Sequence, residues 1–195
     1  MTRKEEKAAL RATVRRLADA LSPRYCAAAD GAIAAHLTAM PELQAADTVF
    51  CFASKTGEID TFPILRDVLE RGKRLCVPLC LGKGVMEARQ ITSLPQLSAG
   101  AYGIPQPPTS APAVPIDEID FAVLPCVTCN HAGQRLGRGG GYYDRFLSHY
   151  RGGAVLLCRE KLIREEIPVE PHDYPVPWVL TERGLYEDGI PARLG

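Results

Sequence analysis

Short apolar runs alternate with helical segments along most of this chain, and this alternation constrains the fold more than any other feature. The runs show no clear alternation of apolar and polar residues, so they predict strands covered on both faces. They comprise residues 48–54, 74–79, 119–127, 154–158 and a short last run at 179–181. Such strands separated by helices are typical of a parallel sheet between helical layers. We therefore predict one α/β domain over residues 1–195, with three layers (α/β/α) and a mostly parallel, Rossmann-like sheet.

Helical periodicity and turn residues define the segments between these strands. The predicted helices are residues 4–21, 23–40, 63–70 and 142–150. Pro23 suits the first turn of the second helix, and Gly72 suits the end of the third. Residues 85–91 are predicted as a hairpin partner of 74–79, and the Pro-, Gly- and Ser-rich residues 95–115 as an ordered loop. Ligands are expected outside the carboxyl ends of the strands.

Charge and apolar content exclude several classes of function. The chain has 23 Lys and Arg against 23 Asp and Glu, with a pI near 6.9, whereas a general nucleic-acid binder is basic. No apolar run reaches the roughly 18 residues of a membrane span, and the charged first residues lack the apolar stretch of a signal peptide. We expect a cytoplasmic protein, a monomer, that acts on small molecules without nucleic-acid or membrane partners.

Seven cysteines form an odd set, mostly inside apolar runs, which fits a reducing compartment better than a disulfide framework. Cys126 and Cys129 form a single CxxC followed by His131, a pattern that also suggests a metal or redox site. A lone CxxC has no second pair at zinc-finger spacing, and Cys126 lies in a predicted strand. Structural cysteines are the favoured interpretation, and metal analysis would decide between the two.

The glycine-rich stretch at residues 134–147 (QRLGRGGGYYDRFL) is the strongest candidate for a site. It follows a predicted buried strand and opens a helix, so its backbone N–H groups and the helix N-terminus favour an anion. Residues 131–151 contain four arginines against one acid, an excess of three positive charges. The stretch is neither a Walker A loop nor a GxGxxG fingerprint. It predicts polyphosphate binding, with a flexible surface turn as the alternative.

Within this stretch, RLGRGGGYYDRFL resembles the signature of the 5-formyltetrahydrofolate cyclo-ligase family. Other motifs of that family follow in order over nearly the whole chain: KAALR at 7–11, EIDT at 58–61, GIPQP at 103–107, IDFAVLP at 119–125, PHD at 171–173 and TE at 181–182. The resemblance implies ATP- and Mg²⁺-dependent conversion of 5-formyltetrahydrofolate to 5,10-methenyltetrahydrofolate. In that reaction the formyl oxygen is phosphorylated, folate N10 attacks the resulting imidate phosphate, and ADP and phosphate are released.

The resemblance also implies residue roles. ATP binding would involve Lys7, Arg11, Arg135, Leu136, Gly137, Arg138, Gly139, Gly140, Gly141, Tyr142 and Tyr143. The folate would be bound by Lys55, Asp60, Arg138, Gly139, Gly140, Gly141 and Tyr142. Arg138 and Tyr142 would act in catalysis, and Asp144 and Asp173 would hold Mg²⁺, which takes few protein carboxylates.

Each of these roles has a structural alternative. Lys7 and Arg11, four residues apart, would share one helix face, which could simply be a solvated charged face. Asp60 precedes a helix and could form a turn or cap that helix, Asp173 could be a turn former, and Tyr142 could be a surface tyrosine.

The chain departs from the family pattern at three places. The family often has Glu where this chain has Asp60, and some members have Lys in place of Gly140. Cys126 and Cys129 replace the usual Gly and Phe. Two further functions stay open: a non-catalytic folate- or nucleotide-binding protein of the same fold, and an α/β kinase-like enzyme with another acceptor.

Overall fold

The computed structural model describes residues 2–82, 84–100 and 103–192. Its strands are β1 (Thr48–Cys51), β2 (Arg74–Gly82), β3 (Val85–Ile91), β4 (Ser98–Ala99), β5 (Pro105–Gln106), β6 (Ala113–Val114), β7 (Phe121–Pro125), β8 (Thr128–Cys129), β9 (Arg135–Leu136), β10 (Gly153–Leu157), β11 (Trp178–Thr181), β12 (Gly184–Glu187) and β13 (Ile190–Ala192). Its helices are α1 (Arg3–Asp19), α2 (Pro23–Ala39), α3 (Pro41–Ala45), α4 (Phe62–Glu70) and α5 (Tyr142–His149). Among these helices, none is both long and apolar enough to cross a membrane.

Five parallel strands in the order β2-β1-β7-β10-β11 form the centre of a nine-stranded sheet. They are the five apolar runs of the sequence, and strands β1, β7 and β10 are almost wholly buried. Burial on both faces explains why these runs are continuously apolar rather than alternating. The predicted α/β class with a parallel central sheet is confirmed.

Both edges of the sheet are antiparallel. The predicted β2–β3 hairpin is confirmed, and β6 pairs with β3 outside it; on the other edge β12 and β13 pair antiparallel beyond β11. The expectation of an ordered loop at residues 95–115 is wrong at three places in its described part, where the short strands β4, β5 and β6 lie. An extended segment beside an edge strand can satisfy that strand's unpaired backbone groups. Residues 101 and 102 of this segment lie outside the described residues.

Helices cover both faces of the sheet, which confirms the three layers. Helices α2, α3 and α4 pack over one face, where Ile33, Leu37 and Leu65 meet strand residues such as Val49 and Val123. Helices α1 and α5 pack over the other face, where Val14 and Phe146 meet Phe50 and Leu124. The Phe50 and Phe146 rings stack with centroids 4.8 Å apart, which positions the middle of α5 over β1.

The helix boundaries follow ordinary capping chemistry. Thr2 and Glu5 form a capping box at the start of α1. Ser22 caps α2, and Pro23 occupies its first turn as predicted. Gly72, with φ of 71°, follows the end of α4 in the left-handed conformation.

The direction in which successive strands are added to the sheet reverses at β1, and this reversal locates the ligand-binding crevice. From β1 the chain crosses through α4 to β2 on one side, and it later returns to β7 on the other side of β1. The carboxyl ends of β1 and β7 are therefore the switch point of the sheet, where ligands of open α/β folds bind. Residues 52–61 follow β1 and residues 126–141 follow β7, so these two loops border the crevice.

Candidate active site

The glycine-rich loop forms one wall of the crevice. The β8–β9 ribbon turns the chain back, and residues 137–141 then lead into α5. Gly139 (φ 97°) and Gly141 (φ 66°) take the left-handed conformation that glycine adopts most easily. A Cβ on Gly140 would lie 2.6 Å from a ring carbon of Tyr142, so a larger residue there would displace this tyrosine. Gly141 is the N-cap of α5 and supplies no side chain to its free N–H groups, which leaves them open to an anion.

Helix α1 lies against this loop. The Arg11 Nε donates to the Gly137 carbonyl oxygen at 2.7 Å, and a Cβ on Gly139 would lie 3.6 Å from the Arg11 guanidinium carbon. One turn earlier, Lys7 Nζ donates to Glu170 at 2.6 Å and to Asp173 at 2.7 Å. Lys7 is only 8% exposed, so the solvated-face alternative is wrong.

The Lys7 ion pairs shift the titration of their members. Burial disfavours the charged form of Lys7, but hydrogen bonds and attraction from both carboxylates outweigh it and raise the pKa of Lys7. Burial likewise opposes ionisation of Asp173, while hydrogen bonds from Lys7 and the Glu170 amide leave the pKa of Asp173 below its usual range. All three groups are therefore charged at neutral pH.

Arg135 anchors the loop from below. Its side chain is buried and pairs with the Asp144 carboxylate on the first turn of α5. Its Nε is buried and has no hydrogen-bond partner among residues 2–82, 84–100 and 103–192. Leu136 is also fully buried, so only its backbone can face a ligand, and Tyr143 packs against the core cluster beneath α5.

An ion pair joins the two loops across the crevice. The Arg138 Nη2 donates to Glu58 Oε1 at 2.6 Å, and its Nε donates to the same oxygen at 3.2 Å. The other Glu58 oxygen accepts from the Lys55 backbone N–H at 3.0 Å. Arg138 itself is exposed. The loop expected to bind nucleotide and the loop expected to bind folate therefore lie side by side.

Buried polar contacts hold the loop after β1. Arg159, 5% exposed, makes a two-pronged pair with Asp30 and donates to the Gly57 and Glu58 carbonyl oxygens. Asp60 lies at the exposed end of this loop, where its Oδ1 accepts from the Phe62 N–H at 3.0 Å. Because the N-cap of α4 is Thr61, this contact confirms the turn alternative for one Asp60 oxygen, while the predicted contact of Asp60 with the folate stays a prediction.

Tyr142 and Arg145 connect the start of α5 to the β2–β3 turn. The half-buried Tyr142 donates its hydroxyl to the Gly82 carbonyl oxygen at 3.0 Å, and Arg145 donates to that of Gly84 at 3.2 Å. Tyr142 is therefore held in place rather than free on the surface. Its ring borders the glycine loop, as an aromatic wall of a substrate site would.

The two acids predicted for Mg²⁺ are both engaged by cations. Asp144 pairs with Arg135, and Asp173 pairs with Lys7. Carboxylate oxygens of Glu170 and Asp173 also lie within 4.8 Å of each other and of a His172 ring nitrogen. Hard oxygen donors of this kind fit Mg²⁺, which keeps most of its ligands as water or phosphate oxygens.

Comparison with known proteins decides the family. The profile of the 5-formyltetrahydrofolate cyclo-ligase family matches residues 3–182. The chain belongs to this family of enzymes. Its 5-formyltetrahydrofolate cyclo-ligase relatives include one from Escherichia coli K12, 31% identical over 89% of this chain and 99% of the relative. Another, from Mycolicibacterium smegmatis, is 33% identical over 71% of this chain and 75% of the relative.

Solved structures agree with this assignment. The 5,10-methenyltetrahydrofolate synthetase of Aquifex aeolicus superposes with a TM-score of 0.83 at 28% identity, over 97% of this chain and 96% of that one. The corresponding synthetase of Mycoplasma pneumoniae, at 18% identity and a TM-score of 0.74, shows the same fold over 90% of this chain and 98% of that one.

Several residues of this cyclo-ligase site were not predicted as site residues. Glu58 and Glu170 were missed, although Glu58 begins the EIDT motif; its partner Arg138 lies 80 residues away in sequence. Thr61 of the same motif is fully buried, and its hydroxyl accepts from the Ser54 N–H and donates to the Phe52 carbonyl oxygen. Arg159 could have been predicted from the sequence, because a charged residue directly after a buried strand lies at the ligand-binding edge of a parallel sheet.

In the structure the CxxC pair gains a third cysteine, and His131 lies outside the group. Cys158 joins Cys126 and Cys129, and the three Sγ atoms lie within 4.8 Å of one another. Hydrogen bonds from the other two thiols lower the pKa of Cys126 well below its usual range. His131 does not belong to this cluster: its ring stacks on Tyr186 with centroids 3.9 Å apart.

Replacing Lys7 by methionine should lower the free energy of unfolding by about 1–3 kcal/mol at pH 7, because it leaves the Asp173 carboxylate without its cation. Since the pKa of Asp173 is lowered in the folded state, this contribution exists above its unfolded pKa of about 3.9 and disappears as the pH falls below it. The raised pKa of Lys7 sets the upper limit, because its contribution is lost only above about pH 10.4. Urea unfolding between pH 3 and pH 7 measures the difference.

Lys73→Met is the matched control for this prediction. Lys73 donates to the backbone carbonyls of Gln44 and Ala46, which do not titrate, so its cost should be the same at pH 7 and pH 3. A Lys7→Met cost that is equally independent of pH would contradict the assigned ion pair.

Proposed function

We propose that the protein catalyses the ATP- and Mg²⁺-dependent cyclisation of 5-formyltetrahydrofolate to 5,10-methenyltetrahydrofolate. The observation that carries this proposal is the contact between Arg138 and Glu58. It joins the glycine loop, suited to phosphates, to the loop after β1, which carries Lys55 and Asp60. One crevice can therefore hold a polyphosphate and a second substrate next to each other.

The polyphosphate side is cationic and rich in N–H donors. Arg11 lies beside Gly137 and Gly139, Arg138 is exposed on the loop, and the first turn of α5 has free N–H groups. Lys7 holds Asp173 near this side. Asp144 and Asp173 would hold Mg²⁺, which would neutralise phosphate charge when bound. Phosphoryl transfer depends on such positioning and charge neutralisation, since the protein does little covalent chemistry.

The folate side would orient the formyl group towards the phosphate. Asp60 would accept hydrogen bonds from pterin N–H groups through its second oxygen, and Lys55 would contact the same substrate. Tyr142, held by the Gly82 carbonyl, would form an aromatic wall and exclude water from the reacting carbon.

The chemistry balances in two steps. The formyl oxygen attacks the γ-phosphorus and the bond to the β-phosphate bridging oxygen breaks, so ADP leaves and an imidate phosphate remains. Folate N10 then attacks the formyl carbon, N10 loses its proton, and the C–O bond breaks to release phosphate. Phosphorylation turns the poor leaving oxygen of the formyl group into a good one. Arg138 would stabilise the negative charge on the transferring group during this step.

Incubation of the protein with 5-formyltetrahydrofolate, ATP and Mg²⁺, followed by near-UV absorbance of the methenyl product, tests the proposal. We expect one ADP per methenyl group formed and no product without ATP. Binding of both substrates without turnover would support the non-catalytic alternative. ADP formation with a different acceptor would support the kinase-like one.

A further inference from the structure

Three cysteines meet at the carboxyl ends of two central strands. The register of β7 and β10 pairs Pro125 with Leu157, so the residues that follow, Cys126 and Cys158, lie next to each other. The chain then turns into β8, which brings Cys129 back to the same point. Cys129 and Cys158 are buried and Cys126 is half-buried. The cluster therefore depends on the pairing of β7 with β10, which brings Cys158 to the CxxC pair.

The spacing of the three sulfurs suits a single metal ion. All three Sγ atoms lie within 4.8 Å of one another. Zinc–thiolate bonds are about 2.3 Å long, so three sulfurs around one ion lie about 4 Å apart. Small side-chain rotations would bring these sulfurs to that separation.

The chemistry of the donors points to one class of ion. Within the described part of the chain, the cluster contains three thiols and no carboxylate or imidazole. Thiolates select soft, thiophilic ions such as Cu⁺ and Zn²⁺ over Mg²⁺ or Ca²⁺. Cys129 and Cys158 belong to the apolar core cluster that includes Leu162 and Val176, and bare thiolates in such surroundings are costly unless a cation neutralises them.

We propose that Cys126, Cys129 and Cys158 bind one thiophilic d¹⁰ cation. The site is separate from the Mg²⁺ acids Asp144 and Asp173, which offer only oxygen donors. It also has a defined structural consequence. Cys129 pairs with Arg135 across the β8–β9 ribbon, and Cys158 directly precedes Arg159, which holds the loop after β1. A bound ion would thus fasten together the bases of both active-site loops.

The experiment uses the full chain, purified without a histidine tag, reduced and freed of metal with a chelator. It is titrated anaerobically with Zn²⁺ alone and with Cu⁺ alone, each against a chromophoric competitor. We expect one ion per chain, thiolate-to-metal charge transfer in the ultraviolet for Cu⁺, and a Tm rise of about 5–10 °C at a hundredfold excess over Kd. The two titrations show which of the two ions the site prefers.

Variants locate the site. Cys126→Ser, Cys129→Ala and Cys158→Ala should each weaken binding by about 100-fold, by loss of one of three ligands. Cys26→Ser is the matched control, because Cys26 is a half-buried thiol on α2 outside the cluster, and binding should be unchanged. Undiminished binding in Cys158→Ala, or equal loss in Cys26→Ser, would overturn the proposal.

A second measurement covers the event that the buried variants do not fold. In the wild-type chain, bound metal should slow alkylation of Cys126 by iodoacetamide at least tenfold relative to Cys26, as mapped by mass spectrometry. If added metal changes the alkylation rates of Cys126 and Cys26 by the same factor, the proposal is overturned. Absence of stoichiometric uptake by the fully reduced protein would also overturn it, whatever the result of the folate assay.

Discussion

Arg138→Lys should retain ATP binding while kcat falls by about tenfold to a thousandfold, the range for loss of one electrostatic donor to a transition state. In the structure the Arg138 guanidinium donates to one Glu58 oxygen through two nitrogens. When substrates bind, we expect the same two-pronged group to meet phosphoryl oxygens, a geometry that a lysine ammonium does not reproduce. Because negative charge develops on the transferring group, the loss belongs to the chemical step.

Single-turnover kinetics with both substrates measure this effect. Arg71→Lys is a suitable control, since Arg71 also makes an exposed pair, with Asp67 on α4, away from the crevice, and it should leave the rate unchanged. If Arg138→Lys performs chemistry at the wild-type rate and only ATP affinity falls, Arg138 is a binding residue and its assigned role is wrong.

Asp144→Asn should reduce turnover by at least tenfold and also lower stability by about 1–3 kcal/mol. The role implied by the resemblance predicts a loss of activity, and the pairing with Arg135 adds an expected loss of stability. Asparagine can still accept a hydrogen bond, but it leaves the buried Arg135 charge without its counter-charge. It also removes one of the two carboxylates proposed for Mg²⁺.

The two effects of Asp144→Asn separate experimentally. Turnover is measured at rising Mg²⁺ concentration well below the Tm of the variant, and stability by urea unfolding. Asp67→Asn removes the acid from a comparable but exposed pair and should change stability by less than about 0.5 kcal/mol. Wild-type turnover of Asp144→Asn at saturating Mg²⁺ would reject the metal assignment, even if the stability falls as expected.

Local sequence patterns predicted the central sheet because its strands are continuous apolar runs with both faces buried. The edge strands could not be predicted in this way. Strands β6 and β13 have two and three residues, and such short segments become strands only because a neighbouring edge offers them backbone partners. The Pro-, Gly- and Ser-rich composition of residues 95–115 predicted an ordered loop, and it contained no information about the pairing of β4, β5 and β6.

The motifs of the candidate site are visible in the sequence, whereas the contacts between their residues are not. The glycine content of residues 137–141 makes this loop recognisable in the sequence, and helical spacing places Lys7 and Arg11 on one face of α1. The partners of such residues depend on the fold. Lys7 meets Glu170, and Arg138 meets Glu58, only because strand order and register bring distant segments together. The same is true of Cys126 and Cys158. Residue spacing predicts contacts only between residues close in sequence, so it did not predict the ion-pair partners or the third cysteine.

The contact between Lys7 and Asp173 has a consequence for the order in which the protein matures. The two residues are 166 positions apart, so at about 5–20 residues per second a ribosome needs roughly ten to thirty seconds between them. During that time α1 has neither its acidic partners nor, until residue 137 emerges, the loop it packs against. The proposed nucleotide site is thus completed only after residue 173 has been synthesised, and a nascent chain that holds only the first half of the sheet lacks the glycine loop proposed to bind ATP.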